Sequence, residues 1–211
     1  LAPFEGHLRG RGKLEEMMEW CQELGIRVLT VYAFSTENLD RPKEELEMLM
    51  DIFADAFRQV GDDPRIHGSR VRVCAIGHRE LLPERVREAI AYAEEKTAHY
   101  DDYRYNIAVA YGGRQEIIQA IRQLAHKVQV GELEPDEIDT EMVSKHLYTG
   151  DLPDPDLILR TSGEERVSNF LLWQLAYSEF YFADVYWPAL RKVDFLRAIR
   201  AYQQRRRRRG L

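Results

Sequence analysis

Apolar positions along this chain alternate between two periods. Leu14, Met17, Met18, Cys21 and Leu24 recur at helical spacing from Lys13 to Leu24, and Gly25 follows as a C-cap. Ile26 to Phe34 then reads as a buried strand rich in Val, Ile, Tyr and Phe. A second helix is predicted over Lys43 to Val60, with Leu46, Leu49, Met50, Phe53 and Phe57 on one stripe, and a second strand over Val71 to Ile76. Pro83 is placed to open a helix that runs to about Tyr100. Tyr105 to Tyr111 is the next strand and Gln115 to Val128 the next helix.

The remainder is more broken. Asp139 to Leu147 is a short helix, Gly150 to Pro155 a linker, and Leu157 to Leu159 a strand that runs into an arginine-bearing loop. Asn169 to Tyr177 is expected as helix, Phe180 to Tyr186 as strand and Phe195 to Arg209 as a final helix. Strands separated by helices need crossover connections. The expectation is therefore an α/β fold, a single domain with a mostly parallel central sheet and helices on both faces. Ligands on such sheets bind beyond the carboxyl ends of the strands, where Ser35 to Asn38, Gly112-Gly113 and Arg160 to Ser168 fall.

Composition narrows the class. A chain of 211 residues with 45% apolar residues has enough for one sizeable core. The formal charge of -6 argues against a general nucleic-acid binder while allowing local basic pockets. Cys21 and Cys74 both sit in apolar patterns and read as reduced core residues of a cytoplasmic protein. Neither a membrane-length apolar run nor a signal-peptide pattern occurs, and the histidines and cysteines show no metal-ligand spacing.

Candidate chemistry concentrates in polar segments that follow apolar strands. In Arg160-Thr161-Ser162-Gly163-Glu164-Glu165-Arg166-Val167-Ser168, two arginine forks, a glycine and hydroxyls stand before a helix expected near Ser168, which suits a diphosphate. Ser35, Thr36, Glu37 and Asn38 form a polar tetrad after a strongly apolar strand; on local grounds it is equally a turn that caps the next element. Arg41 precedes Pro42, and His7 stands near the amino end of the first helix. Glu179, set among Tyr177, Phe180 and Tyr181, needs a cation, a hydrogen-bond network or protonation, and an ordinary salt bridge satisfies that need. The stripe Met48 to Phe57 is core by default and otherwise the lining of an apolar tunnel; Arg205 to Arg209 reads as a solvated helix end favoured by the dipole, and the basic tail ending Arg208-Arg209-Gly210 is also able to touch diphosphate or an anionic membrane surface.

Gly6-His7-Leu8-Arg9-Gly10, Ser35-Thr36-Glu37-Asn38 with Arg41-Pro42, Tyr111-Gly112-Gly113-Arg114, and Arg160 through Ser168-Asn169-Phe170-Leu171-Leu172-Trp173-Gln174 to Glu179 together resemble the cis-prenyltransferases, the undecaprenyl diphosphate synthase family. The resemblance runs from Gly6 to the last helix. It implies a Mg2+-dependent polyprenyl diphosphate synthase that condenses isopentenyl diphosphate with an allylic prenyl diphosphate, setting cis double bonds. It further implies a homodimer, with peripheral membrane contact for product delivery. Carried residue by residue, it makes Ser35, Thr36, Glu37, Arg41 and His7 substrate-binding residues. Arg160, Arg166, Val167 and Ser168 become the isopentenyl diphosphate pocket, Glu179 a magnesium ligand and Asn38 a catalytic residue. An amide takes no proton at neutral pH, so Asn38 is expected to orient substrate or water while a diphosphate oxygen accepts the proton. The family's leading Asp-Gly-Asn block does not stand ahead of Leu1, Leu39 replaces the aromatic residue usual after the asparagine, and Pro3 replaces an arginine. The other readings are a non-catalytic partner subunit of a cis-prenyltransferase complex and a phosphate-binding α/β protein of unrelated function.

Overall fold

Val28–Ser35 (β1), Val71–Ile76 (β2) and Tyr103–Tyr111 (β3) pair in parallel in the order β1-β3-β2, so the strand latest in sequence is central. The structure, a computed structural model, describes residues 3–205, and for 3–8 and 11 the backbone alone. From Tyr105 to Tyr111 every residue of β3 is buried, the pattern of a strand covered on both faces. Lys43–Asp62 (α2) turns Leu49, Met50, Ala54 and Phe57 inward, and Glu84–Thr97 (α4) turns in Val86, Ala89, Ile90 and Ala93. These two helices pack on each other, and α4 packs on β2. Four residues of the expected apolar stripe are thus core, while Met48, Ile52, Phe53 and Ala56 are half-buried.

The outer side of β2 is finished by side chains of α4. Thr97 Oγ1 accepts from Val73 N (3.1 Å) and donates to Ala93 O (2.8 Å), and Glu94 Oε1 accepts from Ala75 N (2.9 Å). Arg79 donates to the Ala75 carbonyl and pairs with Glu94. Pro64–Gly68 (α3), Gly113–Gln129 (α5) and Thr140–Lys145 (α6) complete this unit, which comprises Gly25–Pro153 and Asn169–Trp173.

A second compact unit gathers the segment before Gly25, Asp154–Ser168 and the chain from Gln174 onward. Its Leu157–Arg160 (β4) and Glu179–Phe182 (β5) pair in parallel, and Lys192–Gln204 (α7) packs on β5. Pro3–Glu23 (α1) starts ten residues before the expected helix, despite glycines at 6, 10 and 12. The Trp187 ring lies against Gly10, and Trp187 Nε1 donates to the Gly10 carbonyl at 2.8 Å. Trp20 stacks on Phe195 with ring centroids 6.0 Å apart. These contacts offset a helix penalty of roughly 1 kcal/mol per glycine.

Among the described residues every strand pairing is parallel, as the alternation predicts, and Val71–Ile76 has the expected bounds. The last helix spans Lys192–Gln204 rather than starting at Phe195, and Arg205 is already extended; two further expectations fail. No α-helix covers Asn169 to Tyr177: Ser168, Asn169 and Leu171 have φ of 47°, 62° and 42°, and only Gln174–Tyr177 forms a 3-10 turn. Side-chain and backbone hydrogen bonds of Asn169 replace the helical ladder there, so the expected helix amino end near Ser168 does not exist as an anion site. The last strand stops at Phe182 rather than Tyr186, because Ala183 and Val185 bond instead to the loop Arg160–Gly163.

Candidate diphosphate-binding site

At the carboxyl ends of β1 and β3 the chain turns sharply twice. After β1, Thr36–Asp40 forms a 3-10 turn in which Ser35 N donates to Asn38 Oδ1 at 3.0 Å. That bond fixes the amide's orientation through one lone pair of its oxygen and leaves the NH2 donors to offer a ligand. Glu37 Oε1 accepts from Asn169 Nδ2 at 2.8 Å, and Oε2 from the Thr36 hydroxyl at 3.3 Å. Burial pushes the Glu37 carboxyl up, but hydrogen bonds from its own backbone, Asn169, Ser35 and Thr36 outweigh this and hold it below the usual range. Arg41 pairs with Glu45 on α2 at 2.5 Å and stays 39% exposed, so its guanidinium is reachable.

After β3, Gly112 caps α5. A Cβ on Gly112 would meet Gln115 Oε1 at 2.2 Å and Asn169 Nδ2 and Thr36 Oγ1 at 2.8 Å. One on Gly113 would meet Leu172 N at 3.0 Å and Asn169 O at 3.1 Å. The glycine pair therefore admits the segment Asn169–Trp173, whose Phe170 stacks on Tyr32 at 4.6 Å and meets Tyr111 edge-on at 5.9 Å. Behind it Glu116, 2% exposed, accepts from the Tyr111 hydroxyl and from Tyr148 N at 2.8 Å. Burial first, then the charge of Glu116, pushes the Tyr111 hydroxyl well above the ordinary range. Burial, then Glu80 and Glu116, pushes Tyr148 up to about 12.

In the other unit, β4 delivers the arginine loop. Arg160 Nη1 donates to Ser168 Oγ at 3.2 Å, bringing two of the expected pocket residues together. Gly163 has φ 66° and a Cβ there would stand 3.1 Å from Asp184 Oδ1, while its N–H donates to Ala183 O at 3.1 Å. Arg166 pairs with Glu164 at 2.6 Å and is 66% exposed; Val167 is half-buried. Glu179 accepts from Arg205 Nη1 at 2.6 Å, and the same nitrogen donates to Phe180 O. The side chain of His7, and Arg206 to Arg209, lie outside the described residues.

Of the expected residues, Ser35, Thr36, Glu37 and Asn38 are brought together, and Arg160 with Ser168. Asn169, Gln115, Glu116, Glu164 and Arg205 were not expected as site residues. Asn169 alone carried a signal, as the polar residue opening an otherwise apolar run.

Among the described residues no three His, Cys, Asp or Glu converge as for a metal ion. Magnesium nonetheless takes few protein ligands and fills its shell with water and phosphate oxygens. Glu179 is a hard oxygen donor whose Arg205 partner is 46% exposed, and such pairs are worth only ~0–1 kcal/mol. As a single ligand that an ion can take over, Glu179 fits.

Residues 1–210 match the family model described as "Putative undecaprenyl diphosphate synthase". The chain is 59% identical over 210 residues to a tritrans,polycis-undecaprenyl-diphosphate synthase (geranylgeranyl-diphosphate specific) of Methanopyrus kandleri, covering 100% of this chain and 78% of the relative. A protein of the same name from Methanocaldococcus jannaschii is 56% identical, over 98% of this chain and 75% of that one. Among solved structures, lavandulyl diphosphate synthase from Lavandula x intermedia, in complex with dimethylallyl diphosphate, is similar with a TM-score of 0.92 and 39% identity, covering 96% of this chain and 87% of that one. The chain belongs to the undecaprenyl diphosphate synthase family, the cis-prenyltransferases, as a catalytic prenyl-transferring member rather than a partner subunit.

Proposed function

We propose that this protein lengthens an allylic prenyl diphosphate with isopentenyl diphosphate, and that its primer is geranylgeranyl diphosphate, the substrate in the names of the Methanopyrus and Methanocaldococcus relatives. The observation that carries the reading is the ordered polar turn Ser35–Asn38 at the mouth of the parallel sheet, joined to the Gly112-Gly113 turn. The Ser35–Asn38 turn and Arg41 take the allylic diphosphate, with His7 as a further donor. Arg160, Arg166, Ser168 and the Val167 amide take isopentenyl diphosphate. Charge-assisted contacts of this kind are worth ~1.5–3 kcal/mol each.

In the reaction the allylic carbon loses its bond to the diphosphate oxygen and gains one to the isopentenyl double bond. A proton then leaves the neighbouring carbon to set the new cis double bond. The cationic donors stabilise the departing diphosphate, one of whose oxygens takes the proton, and the Asn38 NH2 orients the partners. Magnesium, held by Glu179 once it leaves Arg205, would supply further positive charge to the diphosphate. The half-buried Met48, Ile52, Phe53 and Ala56 of α2 supply an apolar wall for the growing chain.

Among the described residues no helix is long and apolar enough to cross a membrane. We infer a cytoplasmic homodimer that meets the membrane peripherally. Tyr186, 75% exposed within the aromatic segment 180–187, supports a second copy covering that face. Full-length protein given labelled isopentenyl diphosphate should form long polyprenyl products with geranylgeranyl diphosphate and far less with dimethylallyl diphosphate. Equal use of both primers would overturn the primer. Activity that appears only on mixing with another synthase would overturn self-sufficient catalysis.

A further inference from the structure

Asn169 lies where three segments meet within one unit, and each of its polar ends is specified by a partner that admits no alternative. Arg114 N is a donor only, and it bonds Asn169 Oδ1 at 2.9 Å. Glu37, held ionised, accepts only, and takes a hydrogen from Nδ2 at 2.8 Å; Gln115 Oε1 takes the other at 3.1 Å. The backbone oxygen of Asn169 accepts from Gly113 N at 2.7 Å. Its φ of 62° is a conformation that asparagine tolerates better than most residues. The first two amides of α5 are thereby used, and Glu37 is fastened through Oε1, the oxygen that Thr36 does not use.

We propose that Asn169 is a positioning residue for the diphosphate turn after β1: its amide ties Glu37 to the first turn of α5, and so sets Glu37 and the Ser35 and Thr36 hydroxyls before the allylic diphosphate arrives. This rests on reading Ser35–Asn38 as that diphosphate's turn. Only a side chain with an acceptor and two donors at this length completes the set. Aspartate, the same size, turns a carboxylate onto the Glu37 carboxylate. Alanine leaves Arg114 N without its acceptor. With both amide ends engaged, Asn169 does not itself contact substrate.

The test uses full-length protein carrying Asn169→Asp, Glu37→Gln, and both together. Asn169→Asp should raise KM for the allylic diphosphate about tenfold while KM for isopentenyl diphosphate moves less than twofold. With Glu37→Gln alone as the baseline, adding Asn169→Asp should raise the allylic KM only about twofold, because the glutamine NH2 donates to the new carboxylate. An unchanged allylic KM, an equal rise for both substrates, or additive losses in the double variant would each overturn the proposal.

Two further outcomes are informative. If the natural protein transfers no prenyl group from any allylic diphosphate, the functional reading fails. The tie itself is then judged by melting temperature, which should drop by several degrees with Asn169→Asp and recover in the double variant. If Asn169→Asp does not fold, a folded double variant counts as rescue, and failure of both overturns the tie.

Discussion

At the scale of single residues the arginines of the β4 loop make unequal claims. Arg160 is half-buried and already donates to Ser168, whereas Arg166 is exposed and held by Glu164. Arg160→Ala removes a pre-set donor and releases Ser168. It should raise KM for isopentenyl diphosphate by ten- to a hundredfold, consistent with ~1.5–3 kcal/mol per charged contact. Arg166→Ala should raise it less, since an exposed arginine gives up an ion pair and side-chain freedom in order to bind. Steady-state kinetics with each substrate varied in turn checks the ranking, which fails if Arg166 is the costlier loss. Glu179→Gln removes the charge that fits magnesium and also the partner of Arg205. The magnesium concentration needed for half-maximal activity should rise several-fold, and an unchanged titration would leave Glu179 as the structural partner of Arg205 alone.

At the scale of elements, the glycine pair that opens α5 offers a graded test. The neighbours of a Cβ at Gly112 are the ends of side chains, but at Gly113 they include the backbone of Asn169 and Leu172, which cannot turn aside. Gly113→Ala should therefore cost about 1–3 kcal/mol of stability through overpacking. Gly112→Ala should perturb substrate binding more than folding; urea denaturation and kinetics on both variants separate the two. This junction also marks where the sequence was legible. Apolar period identified α2, α4, β2 and β3 closely, because their burial is repetitive and local. It also placed the Ser35–Asn38 and Arg160–Ser168 loops at strand ends. It missed the irregular course of Asn169–Trp173, whose apolar run looks helical. That course is decided by an asparagine side chain reaching residues more than fifty and a hundred positions away in the chain. The early turns of α1 have the same origin: glycines at 6, 10 and 12 disfavour a helix locally, and the Trp187 contact at Gly10 comes from far along the chain.

At the scale of the molecule, acid should weaken the fold through a known set of groups. Hydrogen bonds that outweigh burial depress Glu37, and Arg65 depresses Asp63. Its own backbone and His78 depress Glu80, and Arg191 depresses Asp194. Each folded carboxyl lies below its unfolded value of 4.5 or 3.8, so its contribution is complete above about pH 4.5 and is lost as pH falls through the folded value. Melting temperature should be flat from pH 7 to about 5 as far as these four carboxylates are concerned, and should decline in more acid buffer. A decline that begins near neutrality would implicate histidines instead. The outer side of β2 has a different consequence. Because Thr97 and Glu94 hold the amides of Val73 and Ala75, α4 completes the hydrogen bonding of the strand it covers. Thr97→Val keeps the shape and strips the acceptor, leaving the Val73 amide unpaired at a cost of about 1–3 kcal/mol. Unpaired edge amides are templates for a strand of another molecule, and loosening of α4 around the unpaired Val73 amide weakens the cover on this edge. The first sign of that variant should be turbidity in concentrated stocks, with the remaining dissolved protein still turning over substrate: the helix acts as a stopper against polymerisation.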